Sequence, residues 1–312
     1  MWRYALKRLL AALPVAFTVS LICFLLVQLA PGDPLSLVLP ADATQAQIDA
    51  ARARYGLDQP MVVQYLLWLG NVLTGDFGNS IATGRPVAGE IGQALVYSLS
   101  LAALASVIGV AVGVGLGLLA GYNIGGWIDR VASVVAISGV SVPHYWLGIV
   151  LVVIFSAGLN WLPAMGAARS GGIVDQLRHM VLPALTLAAM PAGIITRSVR
   201  ALVAEALARD FVPALIARGL GRAEVFGHIL KNIAPTALAV IGVQLGYLMA
   251  GSILVETVFA WPGTGSLLSQ AILQRDLPLL QGTILVLALI FVALNLIVDI
   301  VQPLFDKRIS RQ

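Results

Sequence analysis

The chain has 312 residues, of which 59% are hydrophobic and only 11% charged, and its formal net charge is +4. Because soluble domains carry about 25% charged residues, this composition excludes an ordinary soluble protein and predicts an all-α integral membrane protein. Basic clusters interleaved with aromatic residues are absent from the sequence, which argues against a nucleic-acid partner. The single cysteine, Cys23, lies in an apolar run and is expected to be a packing residue.

Six apolar stretches are candidates for transmembrane helices. Such a helix needs about 20 mostly apolar residues to cross the hydrocarbon core of the bilayer. Their cores lie at 9–30, 94–121, 131–158, 179–196, 232–255 and 277–298. Prolines inside the third and fourth stretches are tolerated where neighbouring helices satisfy the freed backbone groups, so these two spans are predicted to be packed. In the second stretch Gly109, Gly113 and Gly117 recur every four residues, which allows another helix to approach closely.

The basic residues predict how these spans are oriented. With the amino terminus in the cytoplasm, 13 of the 19 lysines and arginines fall on cytoplasmic segments, and both termini are then cytoplasmic. The first span is too long for a signal-peptide core and no A-x-A-like site follows it, so it is interpreted as a retained anchor. The predicted organisation is a tail and first helix at 1–30, an external segment at 31–93 and a five-helix core at 94–312.

The external segment carries two predicted helices. Thr44 and Gln47 have the spacing of a capping box, and the first helix then runs to about Tyr55, with Gly56 as its stop. Pro60 starts the second helix, whose apolar residues share one face: Tyr65, Leu66, Leu69, Val72 and Leu73. Such a face is typical of an amphipathic lid lying on the bilayer, and a platform for an external partner is the alternative.

A charged loop at 204–232 separates the fourth and fifth spans and has the pattern of helix, turn and helix. Asp210 is placed to cap the first helix, and Gly219 is placed to end it in the left-handed conformation. Gly221 with Glu224 is placed to open the second helix. The pattern alone fits two interpretations, a basic connector at the membrane interface or a docking surface for a cytoplasmic partner.

Polar residues inside predicted spans are candidates for function, and this sequence has few of them. His144, Gln244 and Asn295 are candidates for lining a transport pathway, although polar side chains also hold helices together. Because no second metal ligand lies near His144 in the sequence, no metal site is predicted there. Glu256 is predicted at the outer mouth, where it forms an ion pair, caps the next turn or meets an external partner.

Four distinctive stretches lie at 30–34, 55–59 with 75–78, 214–219 and 255–265, and together they resemble the permeases of dipeptide, oligopeptide and nickel ABC importers. AlaLeuIleAlaArgGly at 214–219, followed ten residues later by Ile229, is similar to the loop by which these permeases contact their ATPases, with Pro213 where that pattern has glutamate. The others are AlaProGlyAspPro at 30–34, TyrGlyLeuAspGln at 55–59 with GlyAspPheGly at 75–78, and ValGluThrValPheAlaTrpProGlyThrGly at 255–265. The long external segment is typical of the first of two non-identical permeases.

The resemblance implies a six-helix permease of the type I ABC-importer fold in the bacterial inner membrane. It also implies three kinds of partner: a second, non-identical permease, two cytoplasmic ATP-binding subunits and an external substrate-binding protein. The residues it assigns to ATPase coupling are Phe211, Ala214, Leu215, Ile216, Arg218, Gly219, Arg222, His228 and Ile229. Those it assigns to an external gate or structural motif are Glu256, Pro262, Gly263 and Gly265. Peptides are the expected cargo, with nickel, opines and sugars as alternatives.

ATP hydrolysis is expected in another polypeptide. A phosphate-binding GxxxxGK(S/T) loop needs a lysine followed by serine or threonine, and none of the three lysines, Lys7, Lys231 and Lys307, has such a neighbour. The chain is therefore predicted to be a non-catalytic subunit with no cofactor of its own. ATP and Mg²⁺ are expected to bind to the partner ATPase subunits.

Other functions are weighed against this one. An ion-coupled secondary transporter would show carboxylates near mid-membrane and internal repeats, and the sequence shows neither. An intramembrane serine hydrolase would need an activated serine near a histidine, and Ser141 near His144 lacks the G-x-S-x-G frame. Partner proteins distinguish these functions, because only the ABC permease is expected to purify with an ATPase.

Overall fold

The computed structural model describes residues 2–28, 43–54, 58–168 and 172–305. Within these ranges the regular elements are helices, and one isolated β-bridge joins Asn79 to Pro86. The prediction of an all-α protein is therefore confirmed for the described residues. The motif at 30–34 and the predicted helix stop at Gly56 lie outside them.

Eleven helices follow one another along the described part of the chain. They are α1 (Trp2–Gln28), α2 (Gln45–Arg54), α3 (Met61–Leu73), α4 (Val87–Tyr122), α5 (Trp127–Ser141), α6 (His144–Leu151), α7 (Ile173–Ala208), α8 (Phe211–Ala217), α9 (Arg222–Val258), α10 (Thr264–Leu273) and α11 (Leu277–Phe305). A π-helical segment, Val152–Gly158, continues α6. The predicted start of α2 is confirmed, because the helix begins at Gln45 and the Thr44 amide donates a hydrogen bond to Gln47 Oε1 at 2.9 Å, one of the two bonds of a capping box.

Four helices are long and apolar enough to cross a membrane. They are α4, α7, the Arg222–Leu248 part of α9 and the Leu277–Ile297 part of α11. A fifth candidate is the pair formed by α5 and α6 with its π-helical extension, which is bent by 110°. The apolar part of α1, Leu9–Leu25, is shorter. The structure thus supports four or five spans among the described residues, where the sequence predicts six.

The bend between α5 and α6 interrupts the predicted third span. Pro143 has no amide hydrogen, and its ring disfavours helical backbone at the preceding residue. Val142 is accordingly extended, with ψ of 125°, and α6 begins at His144 with Pro143 at its N-cap. In α7, by contrast, Pro183 and Pro191 lie inside one continuous helix of 36 residues.

The chain forms two compact units. One comprises 1–9, 98–261 and 293–312, and the other comprises 10–97 and 262–292. α7 is the most enclosed of the four candidate spans: 61% of its most apolar stretch is buried, against 22% to 33% for the other three. This burial confirms the prediction that the fourth span is packed by its neighbours.

α4 packs against α7 through its glycines, as their spacing predicts. A β-carbon added to Gly117 would lie 2.7 Å from the β-carbon of Val199 and 2.9 Å from the carbonyl oxygen of Thr196. Gly113 and Gly121, one turn away on either side, face α7 just as closely. Only residues without a side chain allow the two helices to approach to this distance.

α5 meets α7 through backbone as well. A β-carbon added to Gly139 of α5 would lie 2.6 Å from the carbonyl oxygen of Ala189. From the other side, one added to Gly193 of α7 would clash with the carbonyl oxygen of Ala136. The two helices therefore touch along faces made of small residues.

In the second unit α3 packs on α1 through Tyr65. The Tyr65 side chain is buried, its hydroxyl shares a hydrogen bond with the Ser20 hydroxyl at 2.8 Å, and its ring lies edge-on to that of Phe24. Leu66 and Leu73, which the sequence pattern predicts on the same face as Tyr65, are 59% and 78% exposed. Both predicted roles of this apolar face, a lid on the bilayer and a platform for an external partner, stay predictions.

The contact of α4 with α7 predicts different effects for two neighbouring glycines. Gly117→Ala is expected to lower the stability of the folded protein by about 1–3 kcal/mol, because the new methyl group meets Val199 and the α7 backbone. Gly115→Ala is the matched control, since nothing lies within 4 Å of its β-carbon position. Thermal melting of the purified variants in detergent measures the difference, and equal melting of the two would contradict the contact.

Candidate functional site

Loop 204–232 folds as the end of α7, the short helix α8 and the start of α9. The prediction that Asp210 caps α8 with its side chain is wrong, because Asp210 itself has helical backbone and makes no side-chain capping bond. The chain turns at Arg209 instead, where ψ is 146° and α7 ends. The Arg209 carbonyl then accepts a hydrogen bond from the amide of Val212 at 3.1 Å.

Gly219 ends α8 in the way the sequence predicts. Its φ is +83°, in the left-handed region that favours glycine. Two hydrogen bonds close the turn: the Gly219 amide donates to the Ile216 carbonyl at 2.9 Å, and the Leu220 amide donates to the Leu215 carbonyl at 3.3 Å. This is the arrangement by which a left-handed residue satisfies the last carbonyls of a helix.

The start of α9 is also as predicted. The Gly221 amide donates a hydrogen bond to the Glu224 carboxylate at 2.8 Å, and the Glu224 amide donates one to the Gly221 carbonyl at 3.1 Å. In the next turn the ring of Phe226 lies 5.5 Å from that of Tyr122, the last residue of α4. The turn between α8 and α9 is therefore held at its end by contact with α4.

The inner face of loop 204–232 packs on α7. Buried residues of α7, α8 and α9 form one core: Ile195, Val199, Val203, Ala206, Val212, Val225, Ile229, Ile233 and Ala237. Phe211 and Leu215 pack against this core. Ile229 is fully buried. Ile229 thus belongs to the packing of this loop on α7, and its predicted role in ATPase coupling stays a prediction.

The outer face of the loop carries the other residues predicted for ATPase coupling. Ala214, Ile216, Arg218, Gly219, Arg222 and His228 are all exposed. Ile216 is 60% exposed although it is aliphatic. A single exposed aliphatic side chain does not by itself mark an interface, so the role of this surface in ATPase coupling stays a prediction.

Glu256 lies near the end of α9 and is fully buried. Its carboxylate accepts a hydrogen bond from the Ser98 hydroxyl of α4 at 2.7 Å, and its backbone carbonyl accepts one from the Trp261 amide at 2.8 Å. Direct contact of Glu256 with an external partner, one of the three predicted roles, does not fit this burial. The carboxylate instead ties α4 to α9.

The rest of this motif shapes the chain that leads into α10. Ala260 adopts a left-handed φ of +46°, and the Trp261 side chain after it is fully buried. Pro262 is exposed, and Gly263 is the extended N-cap residue of α10. Gly265 is buried in the first turn of that helix. Pro262, Gly263 and Gly265 thus lie in the connection to α10 and in its first turn. Their role in gating stays a prediction.

The three predicted pathway residues all border α9. Gln244 lies on α9 and is 7% exposed. A β-carbon added to Gly246 of α9 would lie 3.4 Å from the amide oxygen of Asn295, and one added to Gly251 would lie 3.8 Å from the ring of His144. The structure therefore places these polar side chains on or beside one helix, and their role in a pathway stays a prediction.

Sequence reasoning missed a buried carboxylate in the second unit. Asp276, between α10 and α11, is fully buried and accepts hydrogen bonds from the Ser80 hydroxyl at 2.5 Å, the Ala82 amide at 3.1 Å and the Leu279 amide at 3.2 Å. It caps α11 and holds the turn at 79–86 against that helix. An aspartate directly before a long apolar run is an N-cap signal, which would have indicated the capping role.

A second missed carboxylate lies in the first unit, at the first turn of α5. Asp129 is 5% exposed and forms a bidentate ion pair with Arg200 of α7, which donates through Nε and Nη2. The Gly125 amide donates to the same carboxylate at 2.9 Å. In the sequence Arg200 serves only as a signal of orientation, and no local pattern pairs it with a residue 71 positions away.

Comparison with known families identifies the chain. The family described as "Binding-protein-dependent transport system inner membrane component" matches residues 113–311, and the family of N-terminal regions of such membrane components matches residues 1–102. The chain belongs to this family. It is an ABC-importer permease of the peptide and nickel type and a multi-pass protein of the bacterial inner membrane, which confirms the resemblance found in the sequence.

Curated relatives cover almost the whole permease. Glutathione transport system permease protein GsiC of Escherichia coli (strain K12) is 38% identical over 310 residues, which are 99% of this chain and 99% of the relative. GsiC of Shigella flexneri serotype 5b (strain 8401) has the same identity and coverage. A Brucella abortus (strain 2308) protein, provisionally named a peptide transport system permease protein, is 38% identical over 306 residues, 97% of this chain and 98% of the relative.

The hydrogen bonds of Asp276 predict how the turn at 79–86 responds to the loss of this carboxylate. Asp276→Ala leaves the buried Ser80 hydroxyl without its acceptor, at a cost of about 1–3 kcal/mol, and it also removes the acceptor of the Ala82 amide. We expect faster hydrogen–deuterium exchange of the backbone amides at 80–84. Asp58→Ala is the control, because that carboxylate accepts an exposed hydrogen bond from the neighbouring Gln59.

Hydrogen–deuterium exchange of the purified permease in detergent, followed by mass spectrometry of the peptides, measures the exchange rate of these amides. If they exchange no faster in Asp276→Ala than in Asp58→Ala, the buried carboxylate does not hold the turn.

Proposed function

We propose that this chain is one of two non-identical permeases of an ATP-driven importer of di- or oligopeptides. The names of its relatives support this cargo, because glutathione is itself a tripeptide and the Brucella abortus relative is named for peptides. An external substrate-binding protein selects the cargo and delivers it to the permease pair. Nickel, opines and sugars are the alternative cargoes.

The observation that carries the coupling role is the exposed outer face of α8. Ile216 projects from a short helix whose other side is packed on the core with α7 and α9. The left-handed turn at Gly219 holds the end of that helix. We assign the face with Ala214, Ile216 and Arg218 to a cleft in a cytoplasmic ATPase subunit, with Arg222 and His228 on its border.

The nucleotide chemistry belongs to the partners in this proposal. Two cytoplasmic ATPase subunits bind ATP and Mg²⁺, and the permease is a non-catalytic subunit with no cofactor of its own. The absence of a lysine followed by serine or threonine from the whole sequence supports this division of labour.

Six spans with both termini in the cytoplasm are part of the proposal. The four or five spans that the structure supports become six when the bent pair α5–α6 and the apolar part of α1 each cross the membrane. The excess of basic residues on loop 204–232 and near both ends of the sequence supports this orientation.

Transport would follow alternating access. ATP binding draws the ATPase subunits together and displaces α8, whose buried core with α7 and α9 carries the displacement into the spans. The pathway then opens outward to receive the cargo, and hydrolysis returns it to the inward state. Glu256, buried between α4 and α9, is placed where this change alters helix contacts.

The first test is to find what binds to the chain. A mild-detergent pull-down from native membranes, with mass spectrometry of the partners, should recover a second permease and two ATP-binding subunits. Uptake of labelled glutathione and trialanine into proteoliposomes then tests the cargo. A chain that purifies alone and homogeneous would overturn the proposed assembly and leave loop 204–232 as an interfacial connector.

Replacing Gly219 is expected to weaken the coupling of ATP hydrolysis to transport, because the turn after α8 requires a left-handed backbone at this position. Gly219→Val is expected to reduce transport by the assembled complex at least about tenfold, because a β-branched residue resists the left-handed backbone that orients α8. Gly84→Val is the matched control, with φ of +70° and nothing within 4 Å of its β-carbon position. It carries the same backbone strain far from the loop in sequence.

Transport per folded complex is the quantity to compare, with ATPase co-purification measured alongside. Normal transport by Gly219→Val would contradict the coupling role. Equal losses in both variants would show that backbone strain alone explains the effect.

A further inference from the structure

The contact between α5 and α7 only weakly restricts sliding of one helix along the axis of the other. Gly139 and Ala136 of α5 lie against Ala189 and Gly193 of α7 at backbone distance. Small residues bring helices close together, but they offer few ridges that interlock with grooves. Such faces resist separation of the two helices more strongly than they resist sliding along the helix axis.

The ion pair between Asp129 and Arg200 fixes that sliding coordinate. Two planar groups joined by two parallel hydrogen bonds have essentially one relative position, and a shift of one helical turn, about 5.4 Å, would break both bonds. The carboxylate is held in place from its own side by the Gly125 amide at 2.9 Å and the Ser133 hydroxyl at 3.5 Å. The Asp129 carboxylate therefore moves together with α5 and has little freedom to move with Arg200 independently of that helix.

The same segment of α7 contacts loop 204–232 on another face. Val199, next to Arg200, and Val203, one turn further along α7, are buried. They belong to the core that contains Val212 of α8 and Ile229 of α9. A movement of α8 thus reaches this segment of α7 through close-packed side chains. The ion pair between Arg200 and Asp129 then connects this segment of α7 to α5.

We propose that Asp129 and Arg200 are positioning residues for coupling, which fix the axial position of α5 on α7 so that displacement of α8 reaches the bend at Pro143. The inference rests on the proposed function, because it requires an ATPase that moves α8. Neither residue touches the cargo or the nucleotide.

A purely structural role makes a different prediction for the loss of both charges. If the pair only neutralises two charges that folding brings together, a variant that lacks both has no uncompensated charge, and its function returns with its stability. If the pair fixes the position of α5, the neutral variant recovers stability and stays uncoupled, since nothing replaces the bidentate contact.

The experiment compares four variants in the complete complex, which is reconstituted in proteoliposomes with its ATPase subunits, second permease and binding protein. They are Asp129→Asn, Arg200→Gln, the double variant with both changes, and Arg200→Lys, which keeps the charge and loses the fork. The control is Asp175→Asn, which removes the 44% exposed partner of His179 on the same helix. Labelled glutathione and trialanine are the transport probes, and melting temperature and ATP hydrolysis are measured in parallel.

The measured quantity is the amount of probe moved per ATP hydrolysed. We expect the two single variants and Arg200→Lys to lower this ratio about tenfold, within the usual range of coupling between sites, while ATP hydrolysis persists. The double variant is expected to melt closer to the wild-type temperature than either single charge-removing variant and to remain uncoupled. Asp175→Asn is expected to keep the wild-type ratio.

Two results overturn the inference. One is a double variant whose ratio returns to the wild-type value, and the other is normal coupling in Asp129→Asn. If that single variant does not fold, the double variant and Arg200→Lys still decide the question. A wild-type chain that binds no ATPase overturns the proposed function itself, and this is recognised before any variant is compared.

Discussion

Contact of backbone with backbone along α7 is the constraint on which the first unit depends. Gly113 and Gly117 of α4 leave no room for a side chain opposite α7, and Gly139 of α5 leaves none on a further side. In a bilayer the lipid tails are as apolar as the helix surfaces, so close packing supplies much of the attraction that water supplies elsewhere. α7 thereby becomes the fixed axis on which α8 and the start of α9 are mounted.

Local stereochemistry made part of this structure predictable. The four-residue spacing of Gly113 and Gly117 predicted a close helix contact, Gly219 predicted the end of α8, and Thr44 with Gln47 predicted the start of α2. Each prediction depends on residues within one or two turns of each other, so it needs no knowledge of the tertiary fold. The motifs at 214–219 and 255–265 added the family, which the comparisons confirmed.

What escaped prediction depends on residues that meet only after folding. Asp129 pairs with Arg200 across 71 positions, and Asp276 accepts from Ser80 across 196. Binary patterning identified the apolar residues of loop 204–232, but it could not separate those covered by α7 from an exposed one such as Ile216. The sequence shows which polar side chains the spans carry, and the structure shows which partners those side chains have.

α9 runs without a break from Arg222 to Val258, through 37 residues. At 1.5 Å per residue it is a rod of about 55 Å, well beyond the roughly 30 Å of the hydrocarbon core. A rod of that length pivoting near its middle by about 10° swings its two ends by about 5 Å in opposite senses. In the proposed transport cycle, a displacement received beside α8 would therefore reach Glu256 with its direction reversed.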